Sequence, residues 1–368
     1  MTNHSKMRLI HITVYGDLPA GVRKQIKWEQ QASQQLQGAQ WDQLAIHGGE
    51  QKETFERRIP KPFRLILLRN FYAWYVIARL SRRYDYVLLR HMPFDPFVFL
   101  FAPFIRNRIG VHHAKEVEEL RLINGGIKGR LASWLERLSG KVAVKTARAI
   151  LGVTPELGYY QTQLRAPHKP HFVYANGIDV NSVELLADNR DAQQLNIAFI
   201  CNTFSAWHGL DRFVDAVAHI DEMPQGVQIH LIGKVSQAQH EHINSLGSSS
   251  NVFKVYGYLE SDKYRRLLSW CDIGMGSLAM DRQSLKQGTT LKVREMLALG
   301  LPIYSSHEDS SLPDSFPYYI NDRVDMNHIF RFARTMKSHS RLQVRQAAEP
   351  LIGKYESMQK VVNWLKGL

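Results

Sequence analysis

Along the chain, short β-branched and aliphatic runs alternate with stretches whose apolar positions recur every three to four residues. That alternation is the mark of parallel α/β sheets covered by helices on both faces. In the first half it predicts strands at residues 8–15, 86–90, 108–112 and 149–153, with amphipathic helices around 21–37, 62–82 and 127–146. Residues 174–180, and the polar stretch 189–194 after them, read as a hinge. Beyond it, strands are predicted at 196–201, 228–232, 253–256, 273–277, 302–305 and 318–320, and helices at 210–220, 261–269 and 291–299. The expected architecture is two Rossmann-like, doubly wound domains, residues 1–175 and 176–349. Residues 343–368 keep helical periodicity and end in an apolar seam of Val361, Val362, Trp364 and Leu365 that must pack on something. The first domain is the expected place for a terminal helix at about 350–368.

Length supports two domains, since 368 residues exceed what one hydrophobic core usually serves. The two cysteines, Cys201 and Cys271, stand far apart in apolar runs with no histidine or cysteine cluster, which argues against a disulfide framework or a zinc site. The start of the chain is too polar for a secretory leader. The most apolar stretch, 94–105, is interrupted by Asp95, Pro96 and Pro103 and is too short to cross a bilayer. A cytoplasmic protein, peripheral at the inner face of the membrane, is expected.

Charge changes this picture by its distribution. The net charge is +13, and residues 1–180 carry all of it, with 27 Lys/Arg against 14 Asp/Glu, while residues 181–368 carry 20 of each. A basic half beside a neutral one suits an anionic surface or substrate on one side. Within the basic half, residues 61–83 interleave arginines with Phe71, Tyr72, Trp74 and Tyr75. Such a helix fits an anionic membrane interface, or equally a helix laid on a sheet with a solvated arginine edge. No recognition-helix, RNA-binding or zinc-finger pattern is present, so nucleic acid is not an expected partner.

The segment richest in chemistry is 285–302. Gly288, Thr289 and Thr290 precede a helix-forming run from Leu291 that closes at Gly300 and Pro302. The first N–H groups of such a helix have no intrahelical partner and attract an anion such as a diphosphate. Lys292 adds a full charge in the first turn, and Glu295 one turn on can accept two hydroxyl bonds from a ribose. The same two residues also have the spacing of an ordinary surface pair. A second constellation follows the first strand of that half, where Asn202, His208 and Gly209 are candidates for phosphate or sugar contacts. Its bland alternative has His208 as a helix cap.

Five ordered motifs carry a resemblance. They are residues 176–179 (Asn-Gly-Ile-Asp), 207–212 (Trp-His-Gly-Leu-Asp-Arg), 256–258 (Tyr-Gly-Tyr), 271–276 (Cys-Asp-Ile-Gly-Met-Gly) and 291–302. Together they resemble the group 1, family 4 type of retaining glycosyltransferases with the GT-B fold. The resemblance implies two Rossmann-like domains facing across a cleft. It also implies transfer of a sugar from a nucleotide-sugar donor, held by the second domain, to an acceptor held by the first. By the same analogy Glu295 binds the ribose, while the amides of Gly288, Thr289, Thr290 and Leu291 meet the diphosphate with Lys292. His113, with His112 as second choice, lines the reaction cleft. The looser match in the first half adds a basic loop with Gly21, Arg23 and Lys24 on the acceptor side. No metal or other cofactor is implied, because helix dipole and basic side chains stabilise the leaving diphosphate. The expected acceptor is a lipid-linked or lipopolysaccharide-type glycan.

Two departures from the family pattern stand out. Gln287 replaces the first of two glutamates eight positions apart, and His208 stands near a usual lysine. Diphosphate charge would then fall to Lys292 with Lys286 or Arg282. A nucleotide-sugar epimerase and a non-catalytic scaffold on the same fold are the alternative readings.

Overall fold

A computed structural model describes residues 6–368, without the side chains of Ile66 and Leu67. Residues 1–5, part of the segment weighed as a leader, lie outside it. The chain divides into two units. Residues up to Asp179 together with Lys354–Leu368 form the first, and Val180–Gly353 forms the second.

In the first unit the aliphatic runs become β1 (Met7–Tyr15), β2 (Ala39–His47), β3 (Glu56–Arg58), β4 (Tyr86–Arg90), β5 (Arg108–His112), β6 (Ala149–Gly152) and β7 (His171–Val173). They form one parallel sheet in the order β3-β2-β1-β4-β5-β6-β7. Successive residues of a strand point to opposite faces, and the core splits accordingly. Leu9 and Leu88 pack on one face with Trp41 and Val111, while Ile10, Val87 and Leu89 pack on the other with Trp74 and Ile77. Both faces are covered by apolar clusters, as a parallel sheet requires.

The second unit repeats the plan with β8 (Leu195–Thr203), β9 (Val227–Lys234), β10 (Phe253–Gly257), β11 (Ile273–Met275), β12 (Ile303–Ser305) and β13 (Tyr319–Asn321). Its sheet is also parallel, in the order β10-β9-β8-β11-β12-β13. The helices Leu210–Ala218, Ser261–Leu268 and Leu291–Ala298 stand near the expected positions.

The terminal helical stretch is two helices, Arg341–Ile352 and Lys354–Leu365, broken at Gly353, whose backbone is extended. The first belongs to the second unit and the second to the first unit. The seam of Val361, Val362 and Leu365 completes the core around Leu9 and Trp41, and Trp364 stacks on Phe172 at 5.2 Å. A buried polar knot fastens this helix at its start. The Glu29 carboxylate accepts from the Trp41 indole (2.8 Å), meets the His11 imidazole at 2.8 Å, and has the Lys354 ammonium 3.7 Å away. Lys354 in turn lies 4.0 Å over the Tyr174 ring. Among the described residues, no helix is long and apolar enough to cross a membrane.

Candidate functional site

In each unit the strand order reverses at one point, between β1 and β4 and between β8 and β11. Ligands of open α/β sheets bind beyond the strand ends at that reversal, and the chemistry of both units gathers there.

In the second unit the helix Leu291–Ala298 starts from Thr290, whose hydroxyl makes no capping bond and is buried without a partner. Lys292, in the first turn, reaches over the reversal. Its ammonium donates to the Gly276 carbonyl (3.2 Å), after β11, and lies 3.7 Å from the Cys201 thiol on β8. Burial lowers its pKa, and no carboxylate lies within 4 Å of it among the described residues. A half-buried cation with a carbonyl and a thiol as its polar partners lacks a counter-charge and favours an arriving anion. His208 stands by it. Burial, and then the charge of Lys292, push its pKa down to about 3. Its Nδ1 accepts the Ser205 N–H (3.0 Å), so the neutral ring carries its proton on Nε2 and can donate. His208 is therefore both the cap of its turn and a potential ligand. Gly209 follows at φ 74°, and a Cβ there would come 2.9 Å from Leu278. The tight approach is locked by bonds from the Leu278 N–H to the His208 carbonyl (3.0 Å) and from the Ala279 N–H to the Trp207 carbonyl (3.2 Å). Asn202 is exposed near the end of β8.

The loop before the helix is held by its neighbour after β12. Gly288 donates to the Glu308 carbonyl (2.9 Å), Glu308 donates to that of Lys286 (3.1 Å), and the Gln287 amide donates to the Glu308 carboxylate (2.9 Å). Behind them the fully buried Arg294 and Asp309 form a bidentate pair that fixes the helix itself. Thr289 is buried and Lys286 is exposed. Gly288 faces His307, a ring whose Nε2 is buried without a partner. Sequence reading passed over His307, which carries no spacing signal. Glu295 is half-buried, and its charge adds to burial in raising the Tyr264 pKa. Arg282 is corrected: it forms a bidentate pair with Asp211 at 2.5 and 2.9 Å, so its charge is already spent.

In the first unit a cavity of about 380 Å³ opens at the ends of β1, β4 and β5. Val111 and His113 line it, whereas His112, between them in sequence, points the other way. His112 is 1% exposed, meets Glu116 at 2.8 Å and stacks on His91 at 4.7 Å. This corrects the expectation that His112 could serve the reaction: it belongs to a buried network with His91, Glu116, Glu136, Gln161 and Arg165. His91, Glu116 and Glu136 place possible metal-ligand atoms within 4.8 Å of one another, but His112 and Arg165 already hold the two carboxylates. His113 is half-buried, with Nε2 sealed and unpartnered. Burial, followed by the charge of Arg90, pushes its pKa well below the usual histidine value, so the ring is neutral at pH 7.

The basic loop is corrected as well. Gly21, Arg23 and Lys24 lie in the first turns of the helix Ala20–Ser33 and do not line the cavity. Arg23 is bound to the buried Glu56 (2.5 Å), and Lys24 lies 4.8 Å over the Trp28 ring. Arg69, Arg90 and Glu119, absent from the sequence-based candidates, do line it.

No protein-family model and no curated protein sequence matches the chain. Solved structures match over nearly its whole length. The lipopolysaccharide outer core galactosyltransferase WaaB in its apo form is 12% identical with a TM-score of 0.65, covering 98% of this chain and 100% of its own. The Anabaena protein HepE in complex with UDP-glucose is 15% identical with a TM-score of 0.62 and the same coverage. A putative UDP-N-acetylglucosamine 2-epimerase from Listeria monocytogenes is 12% identical with a TM-score of 0.53, covering 99% and 96%. At such identities the likeness is one of fold, and the fold is GT-B: two Rossmann-like domains, each on a parallel sheet.

Proposed function

We propose that the protein is a glycosyltransferase that takes a sugar from a nucleotide-sugar donor bound to the second unit and passes it to an acceptor bound to the first. The observation that carries this reading is Lys292, a half-buried cation with no carboxylate within 4 Å among the described residues, set beside an uncapped helix start at the sheet's reversal point. WaaB and HepE lend support, since they share the fold and one was solved with UDP-glucose. In this reading the amides of Thr290 and Leu291 with Lys292 hold the diphosphate, the Gly288 amide being taken by the Glu308 carbonyl, while His208 Nε2–H supports the diphosphate and Glu295 accepts the ribose hydroxyls. His113 faces the transferred sugar as a neutral hydrogen-bonding ring. Positive charge for the leaving diphosphate comes from the chain itself, so no metal is part of the proposal, and retention of configuration comes with the family resemblance. Glu295→Ala should raise the UDP dissociation constant roughly 10- to 150-fold, the worth of ~1.5–3 kcal/mol for bonds to a charged acceptor. Calorimetric titration reads this directly, and an unchanged constant removes the ribose role. A panel of UDP-, GDP-, ADP- and CMP-sugars identifies the donor. An epimerised nucleotide sugar in place of released nucleotide would turn the reading to the epimerase.

The acceptor is proposed to be lipid-linked or a lipopolysaccharide-type glycan, met at the cytoplasmic membrane face. The helix Gly126–Thr146 supports this by being turned inside out. It buries Gly129, Ser133, Gly140 and Ala143, yet exposes Ile127 (84%), Leu131 (56%), Trp134 (54%) and Leu138 (45%) along one stripe. Exposed Lys128, Arg130, Arg137 and Lys141 surround the stripe. Apolar anchors ringed by cations suit an anionic bilayer surface. The helix Ile66–Ser81, the sequence-based candidate, is divided: Trp74 and Ile77 are core, while Leu68, Phe71 and Tyr75 are exposed. The protein should float with anionic vesicles at low salt, and the triple variant Ile127→Ser, Leu131→Ser, Trp134→Ser should lose at least tenfold in partitioning. Equal flotation of the variant would refute this face.

A further inference from the structure

The cavity of the first unit is lined by two guanidinium groups that have no carboxylate in ion-pair reach among the described residues. Arg69, from the helix Ile66–Ser81, enters beside Gly16, and its guanidinium would lie 2.8 Å from any Cβ at that glycine. Its Nε is sealed from solvent and makes no hydrogen bond. Burial lowers its pKa, with no carboxylate opposing the shift. Arg90, at the end of β4, lies 5.5 Å over the Tyr15 ring. Glu119 faces Arg90 electrostatically, but no carboxylate oxygen comes within 4 Å of either guanidinium among the described residues. Glu119 itself is pushed up by burial, then by Glu116, against the pull of Arg90. Glu116, also in the wall, is committed to His112 and Gln161. Two guanidinium groups thus line one cavity with one loosely associated carboxylate and the neutral His113.

We propose that this cavity is an anion-recognition subsite that takes a phosphate group carried by the acceptor, an inference that rests on the first unit holding the acceptor. Planar guanidinium forks match phosphate oxygens bidentately, and about 380 Å³ leaves room for the hydroxylated part that bears the phosphate. Sugar acceptors lacking phosphate would leave both arginines unpaired, so the subsite selects among glycans by charge.

The test uses the full chain with histidine rings carbon-13 labelled at Cε1, the His113 resonance being assigned through His113→Asn. Inorganic phosphate should shift that resonance saturably. Its half-point should rise at least tenfold in Arg69→Gln and in Arg90→Gln, and stay unchanged in Lys292→Met, which reports on the second unit. Arg69→Lys, with the charge kept and the fork lost, should fall between and serves if Arg69→Gln fails to fold. Acetate should act far more weakly than phosphate. No shift in tens of millimolar phosphate, an equal response to acetate, or indifference to both arginine variants would each overturn the subsite. UDP titration of the same samples separates the two readings. Intact UDP binding with no phosphate response overturns the subsite alone, and a phosphate response without UDP binding overturns the transferase reading alone.

Discussion

On the proposed transferase reading, Lys292→Met is expected to slow release of nucleotide from the preferred nucleotide sugar about 10²- to 10³-fold, ~3–4 kcal/mol of transition-state stabilisation. The reasoning starts from what the lysine lacks. Its ammonium has one carbonyl and one thiol as partners, and burial already depresses its pKa. In the proposed reaction negative charge grows on the leaving diphosphate as the glycosidic bond breaks, so a desolvated cation gains most at that moment. Methionine keeps the apolar stem and its contact with Phe199, 5.4 Å from the ammonium in the wild type, while removing the charge. The loss should therefore fall on turnover more than on UDP affinity. Rates from acceptor-free hydrolysis of the donor, compared with calorimetric UDP constants, make the comparison. Turnover within twofold of wild type would move the diphosphate site elsewhere.

How far this site was readable in advance depends on what each residue needs to be recognised. The helix start at Thr290 was legible because Gly288 and the threonines precede an apolar run with a stop signal. The strands beneath it were legible because Ile197, Ala198 and Phe199 belong to an uninterrupted buried stretch. Strand β2 was not, since Gln40, Asp42 and Gln43 break its apolar pattern. Strands β3 and β7 are three-residue edges, and polar edges are how sheets avoid pairing with other chains. Arg69, Arg90 and Glu119 are far apart in sequence and share one cavity only because β1, β4 and β5 are neighbours. The choice between His112 and His113 was a question of strand phase: a one-residue step at the end of β5 sends one ring into the core and the other into the cavity. Arg282 looked available in sequence because its partner Asp211 lies 71 positions away, in the first turn of the helix Leu210–Ala218.

The second large effect concerns stability, and it falls on Glu29. Glu29→Ala should destabilise the first unit by ~3–5 kcal/mol, the cost of leaving a buried cation without its counter-ion. Burial by itself would raise the Glu29 pKa, but the charges of His11 and Lys354 and the bond from His11 outweigh it and hold the value at about 2. The folded value lies below the ordinary carboxylate value of 4.5. Its contribution is therefore complete above about pH 4.5 and drains away as pH falls toward 2, roughly 3 kcal/mol over that window. The gap in melting temperature between wild type and Glu29→Gln should be widest near neutral pH and narrow through the same range. Lys354→Met should cost less than half as much. Its ammonium is 3.7 Å from Glu29, whereas the carboxylate keeps His11 and the Trp41 indole, each at 2.8 Å. Burial also lowers the Lys354 pKa despite Glu29, so its charge is the weaker half of the pair. Because Lys354 begins the terminal helix, Glu29→Ala should also release that helix to protease ahead of the rest of the unit. Calorimetry and limited proteolysis follow the two effects, and equal losses from the Glu29 and Lys354 variants would show that the knot acts through the ion pair alone.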